Sequence, residues 1–85
     1  MKKYTAEDII FAYGHEITSD EKYILRPDGT GYYYWHKVNK IENDDVYYGM
    51  SMGHISYDYC FKDNHAGSAD RLNRILAKTQ LWRNK

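Results

Sequence analysis

From Lys22 to Lys62 apolar and polar residues tend to alternate, the two-residue period of a β-strand whose successive side chains face opposite sides. Residues 22–26 read as one strand, and Pro27-Asp28-Gly29 as the turn that closes it: proline pre-sets the first corner and glycine accepts the positive φ that follows. A second strand, Tyr32 to about Lys40, should pair back on the first. Asn43-Asp44-Asp45 marks another turn, and a third strand should run from Val46 to about Met52. Val46, Tyr48, Met50 and Met52 then share an inward face, which turns Tyr47 outward. Gly53 punctuates that strand. A fourth, from His54 to Lys62, should place Ile55, Tyr57, Tyr59 and Phe61 in the core, with His54, Ser56, Asp58 and Cys60 opposite.

Helical signals flank these strands. Thr5 and Asp8 stand three apart, an acidic variant of the capping box, and Tyr4 and Ile9 occupy the positions of a hydrophobic staple. A short helix is therefore expected over Ala6–Tyr13, closed by Gly14. After a loop over 63–67, Ser68 can cap a second helix. Its stripe of Ala69, Leu72, Ile75, Leu76, Thr79 and Trp82 follows the 3.6-residue period of a buried face. Leu72, Ile75 and Leu76 should pack over Ile55, Tyr57 and Phe61. The expected class is α+β: a short N-terminal helix, an antiparallel meander of three to four strands and a C-terminal amphipathic helix, arranged as a two-layer sandwich in a single domain over 1–85.

Composition changes the picture of the surface. Ten of the 85 residues are tyrosine, and those from Tyr23 to Tyr59 fall within the strand region. Adjacent pairs such as Tyr47-Tyr48 must put one ring on each face of a sheet, yet a core needs only one face. The other should carry rings with polar tips, the chemistry of contact surfaces. Tyr32, Tyr34, Trp35 and Tyr47 are the protein-binding candidates.

Charge and cysteine content narrow the function classes. Twelve Lys+Arg balance twelve Asp+Glu, unlike a protein that coats nucleic acid, and the balance leaves little repulsion against a homodimer. Cys60 is the sole cysteine, so no intramolecular disulfide can form and a reducing, cytoplasmic location is expected. The N-terminus does not read as a signal peptide, and no apolar run approaches the roughly 18 residues of a membrane helix, so no membrane partner is expected.

Arg71, Arg74 and Lys78 form a basic stripe on the second helix. Its plain role is a solvated helix face. Its functional role would be phosphate contact, in an RNA- or DNA-binding α-β-β-β-α domain. That element order is also the one found in double-stranded-RNA-binding domains, a topological analogy alone.

The histidines His15, His36, His54 and His65 show no metal-ligand spacing with one another or with Cys60. His54 and Cys60, six apart on an extended strand, would stand about 20 Å apart, too far for a nucleophile and its base. The Pro27–Gly31 segment lacks the lysine of a phosphate loop. No catalytic set, metal or cofactor is therefore expected. The sequence reads as a non-enzymatic module that binds another protein as an inhibitor or adaptor. Small motif-free proteins of that kind are common among phage and mobile-element inhibitors of host systems, anti-CRISPR proteins included.

Overall fold

In the computed structural model, which describes residues 3–83, with side chains through Thr79, the capping signal at the N-terminus is used but the helix it announces stops after one turn. The Asp8 carboxylate accepts from the Thr5 N–H at 2.8 Å, closing a 3₁₀ turn over Ala6–Asp8. Ile9–Ala12 then extends as β1, so the expected helix over Ala6–Tyr13 is corrected. The physical reason lies in Ile9, Ile10 and Phe11, β-branched and aromatic residues that favour a pleated surface. Gly14 is no helix cap either. Tyr13 and Gly14, at φ 57° and 77°, form the two-residue loop that returns the chain into β2, His15–Thr18.

Three longer strands follow: β3 (Tyr23–Pro27), β4 (Tyr32–Glu42) and β5 (Asp45–Ser56). All neighbours are antiparallel, and the five-stranded sheet keeps chain order β1-β2-β3-β4-β5. The meander therefore holds five strands instead of three or four. Asn43 and Asp44, at φ 52° and 63°, make the tight β4–β5 loop. The expected third and fourth strands are one: β5 runs through Gly53 and ends at Ser56. Tyr57–Cys60 then forms a single helical turn, α1, and the last helix, α2, spans Ala66–Arg83.

That reassignment changes the core. Leu25, Trp35 and Ile55 from the sheet meet Cys60 of α1 and Ala69, Leu72 and Ile75 of α2, with Tyr4 and Ile9 closing the N-terminal end. Phe61 and Leu76 pack against this cluster, whereas Tyr57 and Tyr59 remain exposed. Cys60, expected on a polar strand face, is fully buried because a helical turn rotates it inward. Ser68 lies inside α2 and does not precede it. Thr79 is exposed, and the expected contact of Trp82 lies outside the described side chains.

The face opposite α2 is covered by the sheet itself. Ile17 and Ile24 pair on that side and have no accessible surface. The β4–β5 pairing slips register three times between Trp35 and Lys40, and such bulges bend and twist a hairpin. Its distal half consequently curls back over the face. Tyr48 of β5 comes within 6.2 Å of His15 on β2, although the two strands stand three places apart, roughly 14 Å in a flat sheet. A helix on one face and a curled hairpin on the other replace the simple two-layer sandwich. Among the described residues no helix is long and apolar enough to cross a membrane.

Candidate functional site

A row of rings and cations runs along the face opposite α2. Tyr32 and Tyr34 alternate on β4, and His54 of β5 stands opposite Tyr34. The His54 ring meets Tyr32 edge-on at 5.7 Å and lies 6.2 Å from Tyr34. Arg26, paired with Tyr34 across β3–β4, holds its guanidinium 5.6 Å from that ring. The same arginine donates from Nε to Nε2 of His36 at 3.1 Å. Since Nε2 accepts, Nδ1 carries the proton and donates to the Gly49 carbonyl at 2.9 Å. His36 in turn lies 4.7 Å from Tyr48.

Asp28 anchors one end of the row. Its carboxylate accepts from the Thr30 amide and hydroxyl, at 2.8 and 2.7 Å. The amide bond, then the hydroxyl, hold its pKa below the usual carboxylate value. This short side-chain turn lies beside Tyr32 and fixes where β4 begins, and hence where its alternating rings fall.

The predicted contact residues separate in space. Tyr32 is 45% exposed and Tyr34 half-buried beside it. Trp35 is corrected: it faces α2 with no accessible surface and belongs to the core. Tyr47 is 47% exposed but stands opposite Lys40, whose ammonium lies 4.8 Å from its ring. Lys40 stands six positions along β4 from Tyr34, about 20 Å of strand, so Tyr47 and the Tyr32–Tyr34 pair do not make one patch. Met50, expected inside, is 91% exposed. It follows Gly49 where β5 bulges, and the His36 bond to Gly49 pins that irregularity. Alternation breaks at a bulge, which explains why sequence spacing misplaced it.

The basic stripe is largely engaged within the molecule. Arg71 donates from Nε to the His54 carbonyl at 3.1 Å, and Arg74 pairs with Asp70 at 2.9 Å. Asp70 also accepts from the Tyr59 hydroxyl, a bond that raises the phenol's pKa. Lys78 is exposed.

Sequence spacing gave no hint of a second polar cluster. His65 Nε2 lies 3.4 Å from Glu16, His65 Nδ1 lies 3.3 Å from the Ser68 hydroxyl, and that hydroxyl lies 3.0 Å from the Cys60 thiol. The set has the residue types of a nucleophilic relay, without its chemistry. Ser68 and Cys60 are fully buried, and the serine donates to the Cys60 carbonyl. Burial pushes the thiol up to about 11, against the opposing pull of the serine bond. The cluster instead fastens β2 to the start of α2. Asp63, Asn64 and His65, all at positive φ, lead into it, and the anchored His65 ring packs on Phe61 at 4.7 Å.

Among the described residues no group of three or more His, Cys, Asp or Glu side chains is placed to hold a metal. No protein-family model, curated protein or solved structure matches the chain, so the reading of its function rests on this geometry.

Proposed function

We propose that the chain is a non-enzymatic binding module that docks on another protein, as an inhibitor or adaptor, through the Tyr32–His54–Tyr34 row. The supporting observation is the pre-organisation of these rings. Tyr32 is held edge-on by His54, and Tyr34 lies between His54 and Arg26, yet Tyr32 remains 45% exposed. Rings already fixed by neighbours lose little rotamer freedom on docking, and Tyr and Arg are the residues that most often anchor protein contacts. Tyr47 and Met50 on the curled hairpin offer a separate contact. In its inhibitor form, this reading puts the chain beside small phage and mobile-element proteins such as anti-CRISPRs.

A nuclease-treated pull-down from the source cell tests the reading. A protein retained by the wild type and lost by Tyr32→Ala/Tyr34→Ala supports it. Capture abolished by nuclease, together with affinity that collapses on neutralising Arg71, Arg74 and Lys78, would replace it with nucleic-acid binding.

A further inference from the structure

On the helix side of the molecule, α2 and the C-terminal part of β5 leave an open cleft of about 440 Å³. Its lining comprises Met52 of β5 and Arg71, Ile75, Lys78 and Thr79 of α2. The four helix residues are spaced four, three and one apart and so share one face. Met52 and Ile75 give the cleft apolar surface, and Arg71 and Lys78 supply two cations. Among the described residues no carboxylate lines it.

These cations are not equivalent to the third of the stripe. Arg74 is neutralised by Asp70. Arg71 spends only Nε on the His54 carbonyl, which orients the guanidinium and leaves its terminal nitrogens uncommitted among the described contacts. Nη2 lies over Gly53, where a β-carbon would stand only 3.2 Å away. Lys78 makes no ion pair with a described residue, and from Gln80 to Lys85 the sequence holds further cations but neither Asp nor Glu. Positive charge beside apolar side chains, with no counter-charge paired to Lys78 among the described residues, is complementary to an anionic head on an apolar tail.

We propose that this cleft binds a small apolar carboxylate, with the carboxylate between Arg71 and Lys78 and the chain against Met52 and Ile75. The volume lies in the range of about 300–1,000 Å³ typical of small-molecule sites. A guanidinium already held in place by its own Nε bond matches the planar, two-oxygen geometry of a carboxylate. The proposal is independent of the Tyr32–Tyr34 row, which lies on the other face of the sheet.

Methyl NMR on Met52 and Ile75 during titration with octanoate tests it, with octanol, octylamine and inorganic phosphate as matched probes. A saturable shift at these two methyls is expected with octanoate, about tenfold weaker binding with octanol, and none with octylamine or phosphate. Lys78→Gln should weaken octanoate at least about fivefold, and Arg71→Gln further. Lys78 is exposed, so the first variant keeps the test valid should loss of the Arg71–His54 bond disturb folding. Equal affinity for octanol, unchanged affinity in Lys78→Gln, the absence of saturation, or shifts spreading to Ile17 and Ile24 would each overturn the proposal. A peptide with a C-terminal leucine carboxylate that bound more tightly than octanoate would overturn the assignment to a free small molecule.

Discussion

The indole N–H of Trp35 donates to the carbonyl of Ser68 at 3.0 Å, joining the first half of β4 to the first turn of α2. The bond sets both the depth and the direction in which the helix sits, because the ring itself is wholly enclosed. Trp35→Phe keeps most of the apolar surface and removes the donor, and should cost about 1–3 kcal/mol in urea unfolding. Trp35→Ala should cost about 3–5 kcal/mol, a large part of the stability of so small a fold. A loss below half a kcal/mol for the alanine variant would show that the helix is seated elsewhere.

Two glycines mark how closely α2 approaches its neighbours, and they should tolerate alanine differently. At Gly67 a β-carbon would stand 1.9 Å from the Tyr59 carbonyl oxygen, a backbone atom, so α1 or α2 must move. At Gly53 the nearest atom, 2.7 Å away, is the terminal methyl of Ile75, which can rotate. Gly53→Ala should cost about 1–3 kcal/mol and Gly67→Ala more. Thermal unfolding of the two variants side by side checks the order.

Binding should divide along the hairpin. Tyr32→Ala and Tyr34→Ala should each weaken partner affinity by about 2 kcal/mol or more while shifting the melting temperature little, since their exposed or half-exposed rings contribute modestly to folding. Tyr47, about 20 Å along the strand from that row, should combine additively with either change, within about 0.5 kcal/mol. Strong non-additivity, read by calorimetry, would show that the partner grips both ends at once.

Cys60 should resist thiol reagents in the native state and react at the rate of global or local opening. Burial raises its folded pKa to about 11, above the usual value of about 8.5. Stability from the neutral thiol is therefore fully present below about pH 8.5 and declines as pH rises toward 11. The stability difference between wild type and Cys60→Ala, followed by urea midpoints from neutral to alkaline pH, should shrink over that interval. Rapid native-state labelling near pH 8 would contradict the burial.

The α+β class, the C-terminal helix and the hairpin loops that follow Pro27 and Glu42 were legible in the sequence because each has a local cause: helical periodicity or turn chemistry. The N-terminal segment was not, since one capping box nucleates a turn whether or not a helix follows, and only pairing with β2 decides. Tyr57–Cys60 misled for a related reason: alternation over a short apolar run fits a strand, while Cys60 and Phe61 fill the core only as a helical turn and its exit. The faces of Trp35 and Met50 depended on pairing and bulges in β4–β5, which no spacing rule reports. In the Glu16–His65–Ser68–Cys60 cluster, Cys60, His65 and Ser68 are near in sequence, but they meet only because Tyr57–Cys60 is a helical turn, and Glu16 reaches them only through the fold.

Asn73 accepts from the Tyr4 amide and donates to the Tyr4 carbonyl, both at 2.8 Å, so one side chain of α2 stands in for a neighbouring strand at the opposite end of the chain. Every sheet pairing joins consecutive strands, so the meander can zip up in the order in which it is synthesised, by mostly short-range loop closures. The helix closes it only at the last step. A nascent chain ending before residue 69 would hold Leu25, Trp35 and Ile55 uncovered and the Tyr4 backbone without its distant clamp, which makes the interval before α2 emerges the period of greatest exposure to aggregation.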